Sequence, residues 1–247
     1  MTDKRTDTFM LVKACLNGNR PPGAHPNLPV SPEELAAEAR AAIAAGAGAL
    51  HVHPRDAEGR EGLEPSVIAA ALDAIREACP GVPVGVSTGA WIIPDPTQRV
   101  SAIRSWEVLP DFASVNLSEE GHEAVMEVLV DKGVGVEAGV WSAADAERLA
   151  ELSVPLLRVL IEPMTGDCAA AERSVDAIGA VLDEHLPTVP RLLHGQGACA
   201  WPLLRLAVQR GYDTRIGFED TLELPSGTQA ESNAALVRAA WREIGNV

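Results

Sequence analysis

Positive charge is scarce in this sequence. Lysine and arginine together number 20 against 35 aspartates and glutamates, which gives a formal net charge of −15 at pH 7. Nucleic acids and anionic membrane surfaces are bound by concentrated basic faces, so the composition argues against both classes of partner. A small anionic substrate is compatible with the charge, but it would need arginines gathered at one place.

Cysteines and long apolar runs are also few. The four cysteines are scattered and form no CxxC pair, which is typical of reduced thiols in the cytosol rather than of a disulfide framework. No apolar run is long enough to span a bilayer. The N-terminal stretch MTDKRTDTF lacks the apolar segment of a signal peptide. We therefore expect a soluble, cytoplasmic protein.

The sequence does contain a regular alternation of short apolar runs and longer segments of helical period. The apolar runs predict strands at Phe9–Asn17, Ala49–Arg55, Val82–Ser87, Phe112–Leu117, Val134–Val140, Leu156–Glu162, Arg191–Gly195 and Thr214–Glu219. Each precedes a predicted helix, at 32–45, 65–78, 96–107, 122–132, 143–152, 170–185, 199–210 and 229–244. Eight such units predict a (β/α)8 TIM barrel that occupies residues 1–247 as a single domain. A doubly wound open sheet is the alternative, but no GxGxxG follows the first strand.

Several predicted helices carry recognisable end signals. SPEE at 31–34 offers a capping serine, a proline at the first helical position and a glutamate that can close a capping box. SAAD at 142–145 is a weaker version of the same signal. Glycines lie where four of the helices should end, at Gly46, Gly81, Gly133 and Gly211.

The stretch ALHVHPRD at 49–56 places two of the six histidines on one predicted strand. Side chains alternate along a strand, so His51 and His53 point to the same face. Active sites of TIM barrels lie at the C-terminal ends of the strands, and strands 2 and 8 both neighbour strand 1. A carboxylate from the end of strand 8 could therefore meet both imidazoles and form an open zinc site. The alternative is a pair of hydrogen-bonded core histidines.

Charged residues at other strand ends allow two interpretations. Arg55 and Arg215 could simply form ion pairs with Asp56 or Asp220. An arginine can also keep a neighbouring carboxylate ionised and oriented as a general base, and for Arg215 and Asp220 we favour this interpretation. His194 stands alone in a glycine-rich turn and is expected to be structural or to support the site.

Other histidines and tryptophans are expected at the surface. The histidines expected in loops or at the surface are His25, His122 and His185. Exposed apolar side chains could serve an interface between copies of the chain. The candidates for such an interface are Trp91, Trp106 and Trp201.

Four stretches carry a resemblance to a known family: NGNRPPGAHPNLPVSPEEL, AGAGALHVHPRD, VGVSTGAW and RIGFEDTLELPSG. They resemble the β-keto acid cleavage enzymes, the family of 3-keto-5-aminohexanoate cleavage enzyme, from the first strand to the last helix. The resemblance implies a barrel that uses Zn²⁺, or another divalent ion, to condense a small anionic β-keto acid with acetyl-CoA. The products would be acetoacetate and a new CoA thioester. It also implies a homo-oligomer, with a tetramer favoured.

The resemblance implies roles for residues at matching positions. The zinc ligands would be His51, His53 and Glu219. Arg215 and Asp220 would form the pair that generates or carries the base.

Substrate contacts are implied on the neighbouring strands. Ser87 and Ala90 of STGA, with Ser114 of ASVN, fall where the family contacts substrate. Glu137 on strand 5 would lie near the reacting centre. Ala90 stands where the family has a glycine, which would narrow the pocket.

One departure from the family pattern bears on the substrate. Members that act on the amino-keto acid carry a glutamate in the loop after strand 1, suited to an ammonium group. Asn19 and Arg20 stand at about that place here. We therefore expect the distal end of the substrate to be neutral or to carry a second carboxylate, and not to be cationic.

Two other functions remain open from the sequence. A divalent-metal lyase or aldolase could use the same histidine pair on a small keto acid without CoA, and acetyl-CoA would not affect it. A non-catalytic barrel that binds a small acid or a partner is the third interpretation. The set of ligands and the Arg215–Asp220 pair disfavour this last one.

Overall fold

Over residues 10–246, the range that the computed structural model describes, eight parallel strands close into a barrel and each is followed by a helix. The strands are β1 Val12–Cys15, β2 Ala49–Val52, β3 Val84–Ser87, β4 Phe112–Asn116, β5 Gly135–Val140, β6 Arg158–Ile161, β7 Arg191–Leu193 and β8 Asp213–Ile216. The helices are α1 Pro32–Ala44, α2 Pro65–Ala78, α3 Pro96–Arg104, α4 His122–Asp131, α5 Ala143–Glu151, α6 Cys168–His185, α7 Ala200–Arg210 and α8 Asn233–Ile244. Strands neighbour one another in chain order, and β8 pairs with β1. The predicted (β/α)8 TIM barrel is confirmed.

The observed strands are shorter than the predicted ones. β1 ends at Cys15 rather than Asn17, and β6 ends at Ile161 rather than Glu162. The predicted start of β1, Phe9, lies outside the described residues. Polar residues that close several of the predicted strands therefore occupy the first positions of the following loops. This places them at the C-terminal mouth of the barrel, where TIM-barrel enzymes have their active sites.

The helices begin and end close to where the sequence signals predict. Ser31 and Glu34 form the predicted capping box at α1, and Ser142 forms a second one at α5. The glycines predicted to end helices all adopt positive φ, between 68° and 107°: Gly46, Gly81, Gly133 and Gly211. None of the helices within the described range combines the length and the hydropathy that crossing a bilayer would require.

A buried ionic cluster fills the barrel interior on the N-terminal side of the mouth. Lys13 of β1 forms an ion pair with Glu137 of β5, and Arg158 Nε lies 3.4 Å from Glu137 Oε2. Both cations also lie 5.4 Å from the centroid of the Phe112 ring. That ring needs the space that Gly85 leaves, because a Cβ there would lie 2.1 Å from a ring carbon. The cluster therefore occupies the interior beneath the polar residues of the mouth.

Two of the four cysteines are joined. Cys168, the first residue of α6, forms a disulfide with Cys199, which lies in the short 3₁₀ turn before α7. The prediction of reduced thiols is therefore wrong for this pair, while Cys15 and Cys79 are free and buried. The loops after β6 and β7 bring the two thiols together, and spacing in the sequence does not reveal this. The bond also removes the cysteine argument for a reducing compartment, so cytoplasmic location stays a prediction.

Some side chains expected at the surface are buried. Trp106 and Trp201 are only 2% and 7% exposed, and each donates its indole N–H to a backbone carbonyl. His25 is buried against Phe218, with 4.4 Å between ring centroids. Trp91 is 46% exposed, as expected. The apolar surface available for an interface between copies is thus smaller than the sequence suggests.

Candidate active site

His51 and His53 meet Glu219 at the mouth of the barrel. Their Nε2 atoms lie 3.7 and 3.6 Å from the same oxygen, Glu219 Oε2. One candidate ligand atom from each residue can be chosen so that all lie within 4.8 Å of one another. The three residues converge because β1 pairs with β2 on one side and with β8 on the other. The structure thus brings the predicted metal ligands together.

His53 is held by its backbone and by its ring. Asn17, just past β1, exchanges two hydrogen bonds of 2.9 Å with the His53 main chain. The ring Nδ1 lies 2.7 Å from Glu61 Oε2, and the Trp91 indole donates to the same oxygen at 3.1 Å. Metal-binding histidines commonly donate their second ring nitrogen to a carboxylate in this way, which fixes the tautomer and the ring orientation. Nε2 of His53 is then free to bind a cation.

The segment that carries Glu219 is held by the loop after β1 and by α8. Arg20 donates to the backbone carbonyls of Phe218 and Glu219, and Asn233 Oδ1 accepts the Phe218 N–H at 2.8 Å. Gly18 has a φ of +60°, and a Cβ at this position would lie 2.4 Å from Glu219 Cγ. Only glycine therefore allows the turn after β1 to pack against this carboxylate.

Arg55 anchors the same loop. Its guanidinium donates to three backbone carbonyls around the mouth, those of Gly18, Arg20 and Gly59. The simple ion pair with Asp56 is not formed, since Asp56 binds Arg60 instead. Arg55 thus fixes the backbone on both sides of Asn19.

Arg215 joins the ligand carboxylate to a second carboxylate. Its Nη2 donates to Glu219 Oε1 and to Asp220 Oδ1, both at 2.8 Å. Asp220 is fully buried, and its Oδ2 has no hydrogen-bond partner among residues 10–246. His194 lies between this pair and Glu162, with Nδ1 3.1 Å from Asp220 Oδ1 and Nε2 3.4 Å from Glu162 Oε1. Both contacts are close enough for ion pairing, although neither is a well-aligned hydrogen bond.

Burial and neighbouring charges set the protonation of the site. Burial lowers the pKa of His51 to about 3, so this ring is neutral. Burial also disfavours the charged form of His53, but Glu219 and Glu61 outweigh it and raise its pKa to about 9. Burial would raise the pKa of Glu219, yet Arg215 and the charged ring of His53 hold it well below its usual range. The carboxylates that attract a proton to His53 would equally attract a metal cation.

The donor set fits a divalent ion. Two ligand atoms of one Zn²⁺, each at about 2.1 Å, can be at most about 4 Å apart, and the two histidine–glutamate separations of 3.6 and 3.7 Å satisfy this limit. Glu219 Oε2, the oxygen that faces both imidazoles, is buried and accepts no hydrogen bond from any described residue. Two imidazoles and one carboxylate leave a coordination position open, as catalytic sites do. These donors suit Zn²⁺ and other divalent transition ions.

A cavity of about 180 Å³ opens beside these ligands. It has room for about six water molecules, which is enough for a small acid but not for coenzyme A. Most of the predicted site residues line it: Asn19, His51, His53, Ser87, Ser114, Arg215 and Glu219. It is also lined by Trp91, Asn116, Trp141, Leu160, Glu162, Met164 and Gln196.

The loop residues predicted to contact substrate are placed differently from one another. Asn19 lines the cavity, whereas the Arg20 side chain faces the backbone carbonyls of 218–219. Ala90 lies outside the lining and donates its backbone N–H to Glu119 Oε2 at 2.8 Å. Substrate contact by Arg20 or Ala90 stays a prediction, and the geometry favours Asn19.

Glu137 lies one side chain deeper than the cavity. Ser114, which lines the cavity, donates its hydroxyl to Glu137 Oε1 at 2.9 Å. Burial would raise the pKa of Glu137, but Lys13 and Arg158 outweigh it and lower the pKa to about 2. The carboxylate of Glu137 stays charged at this depth and positions Ser114. Glu137 therefore reaches the cavity only through Ser114, and its predicted place near the reacting centre is one side chain removed.

A sequence model of the beta-keto acid cleavage enzymes matches residues 10–246. The chain belongs to this family. The 3-keto-5-aminohexanoate cleavage enzyme of Acetoanaerobium sticklandii is 26% identical over 94% of this chain and 90% of that protein. The 3-oxoadipate:acetyl-CoA acetyltransferase of Cupriavidus necator is 27% identical over 86% of this chain and 80% of that protein. The resemblance read from the motifs is confirmed.

A solved structure shares the fold of this β-keto acid cleavage enzyme family member. The ternary complex of ObcA with a C4-CoA adduct and oxalate matches with a TM-score of 0.72 and 16% sequence identity. The match covers 90% of this chain, which spans 64% of the ObcA chain. At that identity the likeness shows the fold alone.

Some residues that shape the site of this family member were not singled out from the sequence. Glu61 lies in the loop after β2, eight residues beyond His53, and Asn233 lies at the start of α8. Trp141 follows β5 directly and lines the cavity. Position after a strand could have indicated Trp141, but no local pattern marks Glu61 or Asn233.

Proposed function

We propose that this protein cleaves a β-keto acid with acetyl-CoA as co-substrate, with Zn²⁺ or another divalent ion held by His51, His53 and Glu219. The observation that carries the proposal is that the guanidinium of Arg215 binds two carboxylates at once. One belongs to Glu219, the candidate metal ligand, and the other is the buried carboxylate of Asp220. The names of its relatives, which refer to keto acid cleavage and to acetyl transfer with acetyl-CoA, support the same reaction.

The residues around the cavity would bind the keto acid. A divalent ion in this donor set would polarise the keto carbonyl as a Lewis acid. Ser87 Oγ accepts the Gly89 N–H at 3.3 Å, which leaves its hydroxyl proton for the substrate carboxylate. The Ser114 hydroxyl already donates to Glu137, so it can only accept a hydrogen bond from the substrate. Asn19, which also lines the cavity, offers a further donor.

Asp220 would be the base. One of its oxygens is fixed by Arg215, and the other has no partner in the part of the chain that the structure describes. Arg215 lines the cavity and Asp220 does not, so a proton from carbon 2 of the keto acid would reach Asp220 through a water molecule beside Arg215. Asp220 would later return this proton to the product.

The reaction conserves atoms without an external oxidant or reductant. Carbon 2, once deprotonated, attacks the thioester carbonyl of acetyl-CoA and expels the CoA thiolate. The thiolate adds to the original keto carbonyl, and the bond between carbons 2 and 3 breaks. One fragment leaves as the new acyl-CoA, and the other takes up a proton to become acetoacetate. The CoA moiety would lie outside the cavity, over the barrel mouth.

Acetoacetate formation tests the proposal. We expect the Zn²⁺-loaded protein to form acetoacetate and a new acyl-CoA only when a β-keto acid and acetyl-CoA are both present. His51→Ala should abolish both products, and the control His185→Ala, at an exposed position of α6, should not. Keto acid consumed at the same rate without acetyl-CoA would contradict the proposal and favour a CoA-independent lyase.

We also propose that the enzyme acts in the cytoplasm as a homo-oligomer, with a tetramer favoured by the family resemblance. The exposed apolar side chain of Trp91 offers a candidate interface position. Light scattering on the purified protein should give four times the mass of one chain. A monomer at micromolar concentration would contradict the proposal.

A further inference from the structure

Three apolar side chains line the cavity opposite the candidate metal ligands, alongside the polar side chains of Asn116 and Glu162. The ligands come from β2 and from the loop after β8, on one side of the closed barrel. Trp141 follows β5, Leu160 lies on β6 and Met164 follows β6, on the other side. All three side chains line the cavity. A β-keto acid whose carboxylate and keto groups face the ligands would therefore direct its distal end toward an indole, a leucine and a methionine.

The charged side chains around this cavity are already paired with each other. Glu162 accepts a hydrogen bond from Gln196 Nε2 at 2.7 Å and lies 3.4 Å from His194 Nε2. Arg215 is shared between the two carboxylates described above. Arg20 donates to the backbone carbonyls of 218–219. Among the described residues that line the cavity, each charged side chain lies within 3.9 Å of a group of opposite charge, so none offers an uncompensated cation for a second carboxylate or an uncompensated carboxylate for an ammonium group.

Where it packs against Trp141 and Leu160, a charged distal group would lose part of its hydration without gaining an uncompensated partner of opposite charge, which is unfavourable. An alkyl group would gain from leaving water at the same place. We infer that the substrate is a β-keto acid with an uncharged alkyl end, which packs against Trp141, Leu160 and Met164. This inference rests on the proposed function and narrows it. The residues of the loop after β1 were compatible with a substrate whose distal end is either neutral or anionic.

Three six-carbon β-keto acids that differ only at the distal end test the inference. They are 3-oxohexanoate (alkyl), 3-oxoadipate (carboxylate) and 5-amino-3-oxohexanoate (ammonium), each supplied with acetyl-CoA. We expect kcat/KM for 3-oxohexanoate to exceed the other two values at least about 10-fold. Faster turnover of either charged acid would overturn the inference and leave the proposed reaction established.

A pair of matched variants tests whether the side chains opposite the candidate metal ligands set the preference for an alkyl over a carboxylate end. Met164→Lys adds a cation among these side chains, and Leu157→Lys adds one just before β6 at a position outside the cavity. The two residues are 54% and 40% exposed, so both variants should fold. We expect Met164→Lys to shift the ratio of kcat/KM values toward 3-oxoadipate about 10-fold, and Leu157→Lys to leave it unchanged. An unchanged ratio in Met164→Lys would overturn the inference.

Binding measured without turnover separates this inference from the proposed reaction. Isothermal titration of the Zn²⁺-loaded protein with 3-oxohexanoate and with 3-oxoadipate needs no acetyl-CoA. Tighter binding of 3-oxohexanoate supports the inference even if no acetoacetate forms, a result that would refute only the reaction. Equal binding, or tighter binding of 3-oxoadipate, overturns the inference.

Discussion

Glu61 Oε2 lies 2.7 Å from Nδ1 of His53, while Nε2 of the same ring faces Glu219 at 3.6 Å. Glu61 therefore orients the His53 ring, and His53 and Glu219 would bind the metal together. A carboxylate on the second ring nitrogen keeps the ring in one tautomer and raises its basicity as a ligand. The contact predicts that Glu61 contributes to metal affinity without itself touching the metal.

Removing this carboxylate should weaken metal binding. For Glu61→Ala we expect the affinity for Zn²⁺ to fall about 10- to 100-fold, since His53 loses its orienting partner. Glu61→Gln, which keeps a hydrogen-bond acceptor, should lose less. The measurement is competition with a chelator of known affinity. Glu58→Ala, an exposed glutamate of the same loop, is the control, and equal Zn²⁺ affinity for Glu61→Ala and Glu58→Ala would contradict the prediction.

Neutralising Asp220 should remove catalysis but not the metal. Asp220→Asn keeps the size of the side chain and the oxygen bound by Arg215, but it cannot take a proton. We expect kcat to fall by about 10²- to 10⁴-fold, as for loss of a general base. Asp213→Asn, at the opposite end of β8, is the matched control. Metal content measured on the same samples should equal wild type, and a kcat within a few-fold of wild type would exclude Asp220 as the base.

The buried carboxylate of Glu137 should make stability depend on pH in the acid range. Burial would raise the pKa of Glu137, but Lys13 and Arg158 outweigh it and lower the pKa from 4.5 to about 2. A lowered pKa adds stability that is complete above the unfolded value and is lost as the pH falls toward 2. The shift corresponds to on the order of 3 kcal/mol of unfolding free energy.

Glu137→Gln tests this account. Urea unfolding at pH 7, 4 and 3 should show a weaker loss of stability on acidification than in wild type. At pH 7 the variant should be about 3–5 kcal/mol less stable, because Lys13 and Arg158 keep buried charges without their carboxylate. Identical pH dependence in the two proteins would show that Glu137 does not carry the effect.

The disulfide should stabilise the enzyme measurably. It closes a segment with a sequence separation of 31 residues, for which loop-closure entropy gives about 3–4 kcal/mol. We expect a reductant to lower the Tm of wild type and to leave that of Cys168→Ser/Cys199→Ser unchanged, with both proteins equal under reducing conditions. A Tm of wild type that does not respond to a reductant, with free thiols quantified in the same samples, would show that the bond does not contribute.

The fold and the histidine pair of the candidate metal site could be predicted from the sequence because both follow from periodicity, whereas Glu219 was named through the family resemblance. Alternation of strand and helix segments predicts parallel strands, and a two-residue period places His51 and His53 on one face. Strand order then places the end of β8 two strands away from β2, so a partner from strand 8 was also foreseeable. The Arg215–Asp220 pair lies within six residues of chain and needed no long-range information.

The remainder depended on the paths of the loops. Glu61 reaches His53 through a turn of the loop after β2, and Cys168 reaches Cys199 only because the loops after β6 and β7 are adjacent. Arg20 seemed free to bind substrate, yet it donates to the backbone beside Glu219, nearly 200 residues away. Local sequence patterns indicate at the end of which strand a residue lies. Where its side chain then points is decided by packing between segments distant in the chain, and only the tertiary structure contains those contacts.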